Sequence, residues 1–177
     1  MAILTAWDVS LRVYFDLLSA PAASPSLLGT TAVAGATVIL GDTHFYWTHR
    51  FLHTVPWLYK KIHKTHHLSV SPGPLAGISF HPVEALIYFS SLGFTASLVP
   101  FTTMMYNAYK WSLLLSPIVT HCGFAPAPDT FQGRFIRDHH LHHRLGNRHG
   151  GCHFGGLLPW DTWMGTDHAA RVPSSRA

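Results

Sequence analysis

Apolar residues run almost unbroken over 25–41, 83–99 and 111–119, and none of these stretches carries a lysine or arginine. Eight of the twelve basic residues stand instead in two groups: Arg50, Lys60, Lys61 and Lys64, then Arg134, Arg137, Arg144 and Arg148. That segregation reads as positive-inside flanking of membrane segments rather than as a nucleic-acid patch. Residues 2–19 are apolar with Asp8, Arg12 and Asp16 four apart on one stripe, which predicts an amphipathic interfacial helix within an N-terminal segment over 1–24. The two aspartates, with no basic region before them, also argue against a signal peptide. After Pro21 and Pro25, the run from Ser26 to Gly41 continues into Asp42-Thr-His-Phe-Tyr-Trp-Thr-His-Arg50. This predicts one helix that begins as a membrane span and leaves it through an aromatic collar at Phe45, Tyr46 and Trp47.

Pro56 ends or bends that helix, and a polar helix follows over 57–67. Residues 69–81 are loop-like in Ser, Pro and Gly, and Pro82 with Glu84 suits a helix start. The segments 83–99 and 101–120 predict a helical hairpin broken at Pro100, each arm marginal for a full span. Pro126, Pro128 and Gly133 mark a loop, 134–145 a basic histidine-rich helix, and the remainder a Gly-rich loop around Trp160-Asp-Thr-Trp163. Strand-like alternation is scarce and no solenoid-like repeat is present. The expectation is a single all-α domain over 1–177, an integral membrane helical bundle with a histidine-rich cap facing the cytosol.

Composition narrows the chemistry. Of 177 residues, 47% are hydrophobic and 11% charged, under half of the roughly one-quarter charged share of a soluble domain. Such a chain is too apolar to be disordered. Histidine occurs 15 times and glutamate once, at Glu84, so a carboxylate-bridged di-iron bundle lacks its ligands. Two cysteines, Cys122 and Cys152, exclude a disulfide scaffold, an all-cysteine zinc site and an iron–sulfur cluster.

The histidines are spaced. His49 and His53 form HxxxH, turned about 40° apart on a helix. His63-Lys-Thr-His66-His67 and His139-His140-Leu-His142-His143 are both HxxHH, in which the residues at i, i+3 and i+4 share one helical face. His140 falls about 100° away and is the odd one out. Interfacial decoration has no reason to repeat that spacing, and histidine-rich metal-buffering tracts are low-complexity rather than set among aromatics. Eight clustered imidazoles exceed one zinc ion, and HExxH is absent. They suit two first-row metals with open positions, and iron is the metal that would make an oxygen-activating centre. Without GxGxxG or a P-loop, the electrons must come from a partner.

The order HxxxH, HxxHH, HxxHH around a hairpin resembles the fatty acid hydroxylase / sterol desaturase superfamily of membrane di-iron oxygenases. Residues 45–53 and 58–67, His81-Pro-Val-Glu84, His121-Cys-Gly123 and Trp160-Asp-Thr-Trp-Met-Gly-Thr-Asp167 are similar to its C-4 methylsterol oxidase branch, so the resemblance covers about 42–167. It implies two iron ions held by His49, His53, His63, His66, His67, His139, His142 and His143, with His121 as a ninth ligand. It implies O2 as co-substrate and electrons from NAD(P)H through a cytochrome b-type carrier and its reductase. It also implies a multi-pass membrane location, the endoplasmic reticulum in a eukaryote, with the site on the cytosolic face. Two departures stand out: Thr54 follows His53 where many members have another histidine, and Ala125 stands four residues after His121 where many have one.

His44 is a further candidate ligand that would restore the count, although an ideal helix turns it about 140° from His49. His81 reads either as a capping histidine bonded to Glu84 or as a ligand. Asp42, Glu84 and Asp138 are candidates to orient a ligand imidazole through its other nitrogen, with a solvated helix-end charge as the alternative for Asp138. Asn147 and Asp161 are candidates to order the last loop. His149, His153 and His168 read as bystanders. Trp57, Tyr106, Tyr109 and Trp111 are either cavity-lining aromatics or interface anchors. The function expected is oxidation of an unactivated C–H of a lipid, foremost a sterol 4-methyl group. The alternatives are a fatty acyl or alkyl-lipid hydroxylase or desaturase and, in another class, a non-catalytic transition-metal-binding membrane protein.

Overall fold

The computed structural model describes residues 26–168 apart from 125, 126, 128 and 129, together with Val9 and Val13. The helix expected over 2–19 lies outside the described residues but for those two. Among the described residues the fold is helical throughout, with no strand.

Helix α1 spans Leu27–Thr54, capped by Ser26, whose hydroxyl accepts from the Gly29 amide. Its first half leaves Leu27, Leu28 and Ile39 exposed. Its second half buries Asp42, Tyr46, His49 and His53, a stripe at helical spacing that faces the interior. Val55 ends the helix, and Pro56 starts the short α2, Pro56–Lys61, at the position where a missing N–H costs nothing. The chain then tightens into a 3-10 turn, His63–Leu68, instead of extending the predicted α-helix to 67. A second 3-10 turn, Pro74–Ile78, lies inside the segment predicted as loop.

Helices α3, Pro82–Leu98, and α4, Thr103–Thr120, make the expected hairpin around a small core of Phe89, Leu92 and Tyr106. Helix α5, Phe131–Leu145, is capped by Thr130 and ends at Gly146, whose φ of 57° favours glycine. Helix α6 is the single turn Trp160–Trp163. Helix α1 packs on α3, α3 on α4, α4 on α5, and the 74–78 turn lies across α4. At that crossing Gly77 is required, because a Cβ would overlap the Pro117 carbonyl.

Among the described residues no helix is long and apolar enough to cross a membrane, which revises the expected spans. The 17 residues of α3 reach only about 26 Å against a hydrocarbon core of about 30 Å. Asn107 and Lys110 interrupt α4, and the polar second half of α1 shortens its apolar part to about 27–41.

Candidate metal centre

Two groups of imidazoles meet where the second half of α1, the 63–68 turn, the end of α4 and α5 converge. His49, His53, His63, His67 and His142 form one group, and His66, His121, His139 and His143 the other, with the offered nitrogens of each group within 4.8 Å of one another. All nine side chains are buried. The shared face expected of each HxxHH is divided between the groups. On α5 the i, i+4 pair His139 and His143 joins one group while His142 at i+3 turns to the other. The 63–68 turn repeats this with the groups exchanged: His63 and His67 go one way and His66 the other. Residues at i+3 and i+4 are about 100° apart around a helix, enough to serve two centres.

The outer nitrogens are tethered. Nδ1 of His49 meets the Phe154 carbonyl at 3.0 Å, and that of His142 meets Cys152 O at 2.6 Å. Nδ1 of His143 meets Ser69 O at 3.1 Å, and that of His121 meets Pro117 O at 2.6 Å. His53 reaches Asn147 Oδ1 at 3.2 Å, and His63 reaches Glu84 Oε1 at 2.6 Å. A carbonyl accepts only, so the five rings that meet one hold their proton on Nδ1 and turn the Nε2 lone pair inward, and His63 does the same when Glu84 is ionised. The inner nitrogens of these tethered rings then have no protons to share. Yet Nε2 of His53 and His63 are 2.8 Å apart, and those of His121 and His143 2.9 Å. His49 Nε2 is buried without any hydrogen-bond partner.

Lone pairs so placed repel one another unless a cation sits between them. Two nitrogens at right angles on a first-row metal about 2.1 Å away stand about 3.0 Å apart, which is the spacing found. The donor set therefore fits two metal ions. Burial, then repulsion from neighbouring imidazoles, holds His53, His63, His66, His139 and His142 well below the ordinary histidine range. His121 is pushed down to about 4 and His143 to about 3, again mainly by burial. All are thus neutral, the form that binds metal, at pH 7. Burial pushes the Glu84 carboxyl up to about 9, so it needs a nearby cation to ionise at neutral pH. A metal on His63 Nε2 would supply one.

The other predicted residues are placed as follows. His44 lies outside both groups, its Nε2 3.1 Å from Ser90 Oγ, because the helix is undistorted and turns it away. His81 caps α3 by accepting from the Val83 amide and belongs to neither group. Asp42 accepts from the Leu157 and Leu158 amides, and Asp161 from those of Phe154 and Gly155. Both carboxylates thus fasten the last loop against α1, and Asp42 contacts no imidazole by hydrogen bond. Asp138 pairs with Arg137 at the surface. His168 donates its amide to His153 Nε2, away from both groups, and the His149 side chain lies outside the described residues.

A cavity of about 270 Å³ runs between α1, α3 and α4 and ends on His49, His66, His121 and His139. Its walls are chiefly apolar, among them Val38, Phe45, Phe80, Phe89 and Leu113. Tyr109 lines it as expected, whereas Tyr106 is core and Trp57 and Trp111 are more than half exposed. The sequence reading missed the four carbonyls that fix the rings and Phe154, whose buried ring packs on His49, His53 and His142. No residue type marks a carbonyl acceptor in advance.

Known proteins are similar to this chain over the segment that carries the motifs. The sequence profile of the fatty acid hydroxylase family matches residues 34–166. The chain is 30% identical over 141 residues to a Delta(7)-sterol 5(6)-desaturase of Gibberella zeae, covering 77% of this chain and 41% of that one. It is 31% identical to methylsterol monooxygenase 2-1 of Arabidopsis thaliana, over 75% of this chain and 54% of the relative. It is 33% identical to a very-long-chain aldehyde decarbonylase of Oryza sativa, over 73% of this chain and 50% of the relative. The chain spans about half the length of the curated relatives it matches. No solved structure matches it. Two all-imidazole groups at the end of an apolar cavity, built from motifs within the matched residues, agree with that profile: the chain belongs to the fatty acid hydroxylase family.

Proposed function

We propose that the chain is a membrane-associated di-iron oxidase acting on an unactivated C–H bond of a lipid. The observation that carries this is the meeting of both histidine groups with one apolar cavity at His49, His66, His121 and His139. Two iron ions held by His49, His53, His63, His66, His67, His121, His139, His142 and His143 would supply the activation of O2 that oxidation of such a bond requires. The protein's own part is to hold and orient. Glu84, Asn147 and the backbone carbonyls keep the ligand lone pairs inward, and the Asp42 and Asp161 clasps hold the loop that carries two of those carbonyls. The apolar walls admit a hydrocarbon and exclude water.

A non-catalytic metal protein has no use for a cavity that ends on its ligands. The exposed Leu27, Leu28, Leu98 and Met104 on α1, α3 and α4 support burial of that end in a bilayer. The basic residues beside the histidines support a cytosolic site, at the endoplasmic reticulum in a eukaryote. A cytochrome b-type carrier fed by NAD(P)H would deliver electrons. The sterol 4-methyl group is the first substrate to try. The aldehyde decarbonylase relative favours a long-chain alkyl or acyl lipid as the second.

Detergent-purified protein loaded with iron should hold two ions per chain and oxidise sterol or alkyl lipids with O2, carrier and reductase. At most one metal per chain with no oxidised product would overturn the proposal. His66→Ala should lose metal, and His168→Ala should keep it.

A further inference from the structure

The cavity that ends on His49, His66, His121 and His139 has a second end, and that end is polar. Its lining stops on α3 at Ser91 and on α4 at Tyr109, the residues of those helices that line it farthest from the histidines. There the Tyr109 hydroxyl donates to Ser91 Oγ at 3.1 Å. The phenol oxygen lies so close to α1 that a Cβ at Gly41 would overlap it, so glycine at 41 lets the ring reach across. Between this pair and the histidines the wall is carried by Phe45, Phe89 and Leu113.

Most other polar side chains on the wall are already engaged or face outward. Asp42 accepts from the Leu157 and Leu158 amides, Thr37 donates to the Val33 carbonyl, and His44 Nε2 meets Ser90 Oγ. Ser112 donates to the Tyr109 carbonyl, and both Ser112 and Ser116 are exposed. Ser91 differs. It is only 2% exposed and accepts from Tyr109, while its own proton meets no acceptor among the described residues. The phenol oxygen likewise receives no donor among them. A buried hydroxyl gains by finding a partner, and an oxygen atom of a ligand at this end would supply one.

We infer that Ser91 and Tyr109 bind a hydroxyl or carbonyl oxygen of the lipid substrate and so set which of its carbons reaches the histidines. Ser91 donates to that oxygen, and a hydroxyl there can donate in turn to the phenol. Gly41 precedes His49 by eight residues of α1, which puts the pair about 12 Å along the helix axis from the ligands. The substrate class is then a lipid whose oxygen is separated from the oxidised carbon by about 12 Å of hydrocarbon. A long-chain alkyl lipid meets that condition. A sterol oxidised at its 4-methyl group does not, because its hydroxyl sits on the adjoining ring carbon. The inference rests on the lipid-oxidase reading above and separates the two substrates named there.

Binding is read on the full-length, iron-loaded protein in detergent without reductant, with decane and decanol each displacing a fluorescent hydrocarbon. The parent should bind decanol about fivefold or more tighter than decane. Ser91→Ala with Tyr109→Phe should bring that preference to within about twofold, with decane affinity, iron content and helicity as in the parent. Ser112→Ala, which removes a hydroxyl already spent on a carbonyl, should leave the preference in place. With O2, carrier and reductase, decanol and dodecanol should be oxidised at the same carbon counted from the hydroxyl, and the double variant should scatter the position. Equal binding of decanol and decane by the parent overturns the inference, and needs no variant to show it. So does a preference that survives the double variant or vanishes with Ser112→Ala, and so does a product position counted from the methyl end. Oxidation of a sterol 4-methyl group that the double variant leaves unchanged overturns it as well. Failure of the di-iron reading appears separately, as fewer than two irons per chain, and leaves the binding comparison intact because nothing is turned over in it.

Discussion

At the scale of the residue, what orients six of the nine imidazoles is the partner on their outer nitrogen. Glu84 shows this most sharply, because it is the only glutamate in the chain, is fully buried and lies 2.6 Å from His63 Nδ1. With Glu84 in place, His63 donates from Nδ1 and offers Nε2; without it, the ring has an unpaired buried N–H and no preferred tautomer. Glu84→Ala should lower iron affinity about 10- to 100-fold, with Glu84→Gln in between, as read by competition with a chelator. The inner nitrogens were legible in the sequence because HxxxH and HxxHH are spacing rules. Among the outer partners only Glu84 was legible as one, whereas Asn147 read as a residue that orders the last loop. Ser69, Pro117, Cys152 and Phe154 act through main-chain oxygens, which every residue carries.

At the scale of the element, the histidine helices were predicted closely, while the turn of 63–68 and its split between two groups were not. Local periodicity assigns residues to a face, but two centres on one side of a helix are resolved only by what packs opposite. The crossing of the 74–78 turn over α4 is the clearest case. Gly77 brings the turn against Pro117, and a Cβ there would also stand 3.0 Å from His121 Nδ1. Gly77→Ala should therefore push the end of α4 outward and displace His121 from its group. Metal analysis should find close to one iron per chain, the five-histidine group keeping its ion. Retention of two would show that the crossing does not position His121. In the sequence, Gly77 was one of many glycines in a segment that read as loop.

At the scale of the whole molecule, the interior is unusual in packing nine neutral bases beside its hydrocarbon core. Burial lowers the proton affinity of these imidazoles below the ordinary value of 6.5, to about 4 at His121 and about 3 at His143. Below pH 6.5 the unfolded chain therefore takes up protons that the metal-free folded chain does not. Each such histidine then removes up to about 1.4 kcal/mol of stability per pH unit, and above 6.5 their contribution is flat. Glu84, raised to about 9, acts in the opposite direction between about 4.5 and 9, but it is one group against nine. The thermal unfolding midpoint of chelator-stripped protein should fall steadily on acidification from about pH 6.5, and bound iron should blunt the slope. A midpoint independent of pH over that range would mean that the imidazoles are solvated rather than buried. The sequence by itself determined the helical class, the order of the elements and the identity of the histidines, because these follow from periodicities of a few residues. Only the tertiary structure decided which histidine joins which group, that His44 and His81 stand outside both, and that one cavity joins the Ser91–Tyr109 pair to four of the histidines. Those outcomes depend on contacts between residues as far as 120 apart in the chain, such as Tyr46 with Thr166, and no local pattern encodes such contacts.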